Sequence, residues 1–148
     1  MKIALITFTL LLAGFYRSSN QSQWAAVYGT VTKAAACGKT ETWFDYRVKV
    51  VRFESRVEEK KKLEKEMQEQ YPDCKVRVAY SGNETKAITL ISYKKRSNPG
   101  FDPPCMITVY QVGLGKTMVE AHDNATKEKD TWGGSGAQAI TLTSKNWN

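Results

Sequence analysis

His122 is the only histidine in the chain, and Cys37, Cys74 and Cys105 are its three cysteines. Their ordinary pKa values suit nucleophilic or general-base work near neutral pH better than those of the other side chains. A histidine base needs a nucleophile within hydrogen-bond reach. Cys37 or Cys105 would be that nucleophile, with Asp123 adjoining His122 in sequence. Nothing in the spacing demands the constellation. His122 follows Ala121 on a predicted helix, at the edge of its apolar face, where a half-buried structural imidazole is the simpler assignment. A small secreted hydrolase or thiol enzyme using His122 therefore stands second to a non-enzymatic role. No Cys-x-x-Cys and no pair of histidines is present, so no metal ligand set is expected.

Gly113-Leu114-Gly115-Lys116-Thr117 has the ending of a phosphate-binding loop. Such a loop also needs a glycine at position 110, whose backbone freedom lets the chain wrap the phosphates. Tyr110 is there instead. The glycines are read as the end of a strand and Thr117 as the cap of the next helix, so no nucleotide and no other cofactor is expected. A helix start that grips RNA phosphate needs clustered basic residues. Lys116 stands alone before Met118, Val119 and Glu120, which excludes nucleic acid as the expected partner.

The stronger signal is charge on strands. The formal net charge is +7. Arg47 and Lys49 lie on the polar side of one predicted strand, Lys75 and Arg77 on that of another. If the two strands pair, these four form a basic sheet face, which Lys94, Lys95 and Arg96 extend. Such a face suits an anionic polysaccharide, lipid phosphate or an acidic protein. The alternative is a solvated face whose charges discourage edge pairing. Four tryptophans, Trp24, Trp43, Trp132 and Trp147, invite comparison with a carbohydrate platform. Most tryptophans in a small domain pack its core and rim, and Trp132 and Trp147 are the expected exposed pair.

The elements that position these residues follow from patterning. Residues 1–20 read as an export signal. Lys2 gives a positive start, Ile3 to Tyr16 is an apolar run too short to span a bilayer, and Arg17 begins the polar exit. Cleavage is expected between residues 18 and 23, leaving a single secreted or periplasmic domain over 21–148. Losing Lys2 and Arg17 lowers the positive charge without changing its sign. Phe15 follows Leu11-Leu12-Ala13-Gly14 where a lipoprotein signal needs cysteine, so no lipid anchor is expected. In an oxidising compartment an odd cysteine count suggests one bridge and one leftover thiol, or an intermolecular bridge. Cys74 and Cys105 each open a predicted strand after a turn, and they are the expected disulfide.

Strands are predicted over Trp24–Lys33, Glu41–Phe53, Lys75–Tyr80, Lys86–Tyr93, Cys105–Val112 and Ala139–Thr143. The alternation of the second strand slips at Val50-Val51, where a bulge is expected. Ser55-x-x-Glu58 and Thr117-x-x-Glu120 fit capping boxes, opening helices that run to about Tyr71 and Lys129. The order is β-β-α-β-β-β-α-β, an α+β fold: a mostly antiparallel sheet of about five to six strands with two helices on one face. The halves share a pattern of strand, capping box, helix and strand, without a residue-level repeat. The reading that results is an exported small binding or interaction domain for an anionic ligand or partner. An inhibitor or immunity-type protein docking through the Ser97 to Pro104 loop is the remaining alternative. N-terminal sequencing of the natively produced protein should start between residues 18 and 23; a chain still beginning at Met1 would remove the export reading.

Overall fold

A computed structural model describes residues 22–34, 41–96, 105–127 and 136–147. The element order is β1 (Trp24–Ala34), β2 (Glu41–Arg52), α1 (Arg56–Gln70), β3 (Lys75–Tyr80), β4 (Ala87–Arg96), β5 (Met106–Gly115), α2 (Met118–Thr126) and β6 (Gly136–Thr141), with short 3-10 turns at Phe53–Ser55 and Ser144–Asn146. This is an α+β fold with the expected order. The strands divide into two antiparallel sheets of three, ordered β2-β1-β3 and β5-β4-β6.

The division has a physical cause in the two central strands. On β1, Ala25, Val27 and Val31 face one way and join a core with Leu63 and Met67 of α1. Trp24 and Ala26 face the other way and join Val50, Ile88 and Leu142 in a core between the sheets. On β4, Ile88 belongs to that intersheet core, while Ile91 and Tyr93 pack with Ala125 of α2. A strand apolar on both faces needs cover on both, which one sheet with both helices on the same side cannot provide. The result is four layers, α1, first sheet, second sheet and α2, so each helix covers its own sheet.

The two helices reach their sheets differently. Met67 of α1 lies over Gly29, where any Cβ would overlap its sulfur. α2 offers only Ala121 and Ala125 as buried residues, and it sits directly on Gly113 and Gly115. Thr117 caps α2 by accepting a bond from the Glu120 amide, while Glu120 Oε2 accepts one from the Lys116 amide at 2.8 Å. The expected box at Ser55 does not form: its backbone is already helical and its side chain makes no capping bond. The bulge expected at Val50-Val51 is absent. Both valines pair regularly, with Ala26 and Ala25, and the register shifts instead between Val31 and Thr32. Val50 and Val51 are both apolar because one faces the second sheet and the other faces α1.

Register shows that the two halves repeat. Tyr28 pairs with Val48 and Ala79, and Ile88 pairs with Leu114 and Ile140. The residue after each third strand donates to the equivalent carbonyl, Ser81 to Ala26 at 2.9 Å and Leu142 to Lys86 at 2.8 Å. Each half is thus a ββαβ unit whose first strand is central.

Alanine at Gly113 would overlap the Ala121 carbonyl oxygen. Easier strand ordering favours the change by about 0.5–1 kcal/mol, but overpacking opposes it by about 1–3 kcal/mol. Gly113→Ala should therefore lower stability in denaturant unfolding. Gly82→Ala, with nothing within 4 Å of the new Cβ, should stay within about 0.5 kcal/mol of the parent.

Candidate functional site

Between the edges of the two sheets lies an open cavity of about 320 Å³, lined by Tyr28, Thr30, Arg77, Val78, Ala79, Tyr110, Gln111 and Val112. Strand alternation supplies its polar groups. Tyr28 and Thr30 follow Trp24 and Ala26 on the β1 face turned to the second sheet. Arg77 and Ala79 pair with Thr30 and Tyr28 and share that face. Tyr110 and Val112 come from β5, on the face that also carries Leu114 into the intersheet core.

Three of these groups are unengaged among the described residues. Arg77 is exposed and has no ion pair, the buried Thr30 has no side-chain hydrogen bond, and neither has the half-buried Tyr28. Burial pushes the Tyr28 phenol above its ordinary value of 10.0, so it stays protonated as a donor. Next to the cavity the Tyr46 ring packs on Tyr110 with centroids 5.0 Å apart, and the Tyr46 hydroxyl bonds Gln138 Oε1 at 3.2 Å. A guanidinium and a neutral phenol, both with donors to spare, can hold an oxyanion.

The four basic residues expected to form one face do not share one. β1 lies between β2 and β3, and Gly29 pairs with Arg47 and Val78, whereas Thr30 pairs with Tyr46 and Arg77. Arg47 and Lys49 therefore stand on the α1 side of the sheet, and Lys75 and Arg77 on the side facing the second sheet. α1 engages the first two: Arg47 donates to Gln70 Oε1, and Lys49 pairs with Glu66 at 3.0 Å. Exposed Lys94 and half-buried Arg96 belong to β4 of the other sheet and do not extend a face of the first.

The other candidates are also placed. Cys74 is a free thiol, so the expected Cys74–Cys105 disulfide is absent. Cys74 packs at the margin of the α1 core, while Cys105 is buried before β5 of the second sheet. Cys37 lies outside the described residues, as do residues 1–21 and the Ser97 to Pro104 loop. His122 is exposed on α2 and its imidazole makes no hydrogen bond among the described residues. α2 packs over Gly113, and seven strand residues lie between that position and Cys105, which places them roughly 26 Å apart along β5. Gly113 and Gly115 are used for close helix packing, and Lys116 pairs with Glu84 at 3.3 Å. Trp147 is exposed and packs on Trp24 with ring centroids 5.7 Å apart, and the Arg52 guanidinium lies over the Trp24 ring at 4.3 Å; Trp132 lies outside the described residues.

Among the described residues no group of three His, Cys, Asp or Glu side chains converges as a metal site, and no helix is long and apolar enough to cross a membrane. Comparison with known proteins finds no matching family model, no matching curated protein and no matching solved structure.

Sequence reasoning selected Arg77 but missed Tyr28, Thr30, Ala79, Tyr110 and Val112, which surround it. Their signal was the inward phase of β1, legible only once β1 is known to be central. Tyr71 is held protonated for a different reason from Tyr28: its phenol donates to Asp45 Oδ2 at 2.7 Å, which raises its pKa. Unfolded tyrosines lose their protons near pH 10, and these two hold theirs longer. Their contribution to stability is complete below that pH and is lost as the pH rises through the folded values. A phenolate titration read at 295 nm should show late-ionising tyrosines, one removed by Tyr28→Phe and another by Tyr71→Phe. An unaltered late class in Tyr28→Phe would contradict the burial of that phenol.

Proposed function

We propose that this chain is an exported, non-catalytic binding domain that recognises an anionic group in the cleft between its two sheets. One observation carries the reading: Arg77, unpaired among the described residues, shares a concave site with the protonated Tyr28 phenol. Arginine presents several donors in a rigid fork and suits carboxylate or phosphate better than a point charge does. The net charge, +7 for the full sequence and still positive once Lys2 and Arg17 are removed with the signal, draws anions towards the molecule as a whole. The export signal read in residues 1–20 supports a secreted or periplasmic setting for that encounter. The partner is a soluble acid or an acidic group on a larger molecule, and no nucleotide or metal is invoked.

The test is an amide-shift titration at low ionic strength with acetate, sulfate, inorganic phosphate and phenyl phosphate. At least one of these should move the amides of Tyr28, Arg77 and Tyr110 in a saturable way. The effect should shrink as salt is added and vanish in Arg77→Glu. If none of the four anions moves those amides, the reading is wrong.

A further inference from the structure

The repeated halves place equivalent backbone positions at the sheet interface and fill them differently. The register that matches Tyr28 with Ile88 also matches Val112 with Tyr46, Arg77 with Gln138 and Ala79 with Ile140. β2 and β5, which correspond, are the strands that meet most closely across the interface. On one side of this pair the Tyr46 ring lies between the sheets with its hydroxyl 3.2 Å from Gln138 Oε1. On the other side Val112 replaces that ring, Ala79 replaces Ile140, and the cavity of about 320 Å³ opens beside Arg77.

We infer that the cleft takes a small aryl acid, a single aromatic ring bearing a carboxylate or phosphate, with the ring where the sister half carries its own tyrosine ring and the acid on Arg77. The inference rests on the anion-binding reading above and gives that site its ligand class. The sister half is the template: there, a neutral phenol meets a neutral amide. Replacing the amide with a guanidinium changes the matching group from a hydroxyl to an acid, because a charge-assisted pair is the stronger bond.

Size and lining agree. At about 30 Å³ per water, the cavity corresponds to roughly ten waters, too large for a bare oxyanion and adequate for one substituted ring. Its walls are largely apolar, with Ala79, Val112 and the rings of Tyr28 and Tyr110 beside the donors. Such walls reward burial of a carbon skeleton and offer nothing to inorganic phosphate. Tyr110 packs against the ring of Tyr46 in a tilted arrangement of 45°, and a ring in the cavity can use the same preference.

The experiment is isothermal titration of the full chain with phenyl phosphate and with inorganic phosphate under identical low-salt conditions. Phenyl phosphate should bind at least about tenfold more tightly, and Arg77→Glu should abolish both. Two plugs copy the sister half: Val112→Tyr supplies the ring and Ala79→Ile supplies the bulk of Ile140. Either plug that retains the native melting transition should weaken phenyl phosphate at least about tenfold. Equal, Arg77-dependent affinities for the two compounds would overturn the aryl inference and leave the anion site standing. Undiminished phenyl phosphate binding in a folded plug variant would also overturn it. No binding of either compound would overturn the aryl inference, and the anion reading falls with it only if acetate and sulfate also leave the amides of Tyr28, Arg77 and Tyr110 unmoved.

Discussion

The structure depends on covering two strands that are apolar on both faces. β1 sends Ala25, Val27 and Val31 towards α1 and Trp24 and Ala26 towards the second sheet. β4 divides its side chains in the same manner between the first sheet and α2. Neither strand can lie at a sheet edge or face water, so each is central and each sheet needs a helix outside and a sheet inside. The layer order, the burial of Leu63 and Met67, and the close seating of α2 on Gly113 follow from that requirement. In the intersheet core the two halves stabilise each other directly.

Repetition with unequal side chains turns this architecture into a site. A ββαβ unit used twice brings matching positions to the interface between its copies. Where large residues occupy them, as with Tyr46 and Ile140, the interface closes with a hydrogen bond to Gln138. Where small ones occupy them, as with Val112 and Ala79, space remains. The cleft needs no loop to form it. It is held by paired backbone on both sides, so its donors are fixed before any ligand arrives, which lowers the ordering cost of binding.

Electrostatics separate the cations engaged by α1 from the one that lines the cleft. Lys49 and Arg47 lie beneath α1 and are engaged by Glu66 and Gln70. Lys62 is bracketed by Glu58 and Glu59 on the same helix, at 3.0 and 2.8 Å. Exposed pairs of this kind contribute little to stability, but they leave those charges less available to a partner. Arg77 stands one residue out of phase with that arrangement, on the opposite face of the sheet, where it lines the cleft. Arg52 is likewise committed, its guanidinium over the Trp24 ring at 4.3 Å.

The sequence by itself determined the α+β class, the order of all eight elements, the bounds of β3, the stop of α1 before Pro72 and the Thr117 cap. These follow from forces acting within a few residues: alternation, helix propensity, capping and turns. Only the tertiary structure decided that six strands make two sheets, that β1 separates β2 from β3, that Cys74 stays a free thiol, and that Tyr28 and Tyr110 meet beside Arg77. The reason is the two-residue period of a strand. Periodicity reports that a strand has two faces but not which neighbour each face meets, and a shift of one position exchanges them. That is why Arg47 and Arg77, alike in local pattern, lie on opposite sides of one sheet.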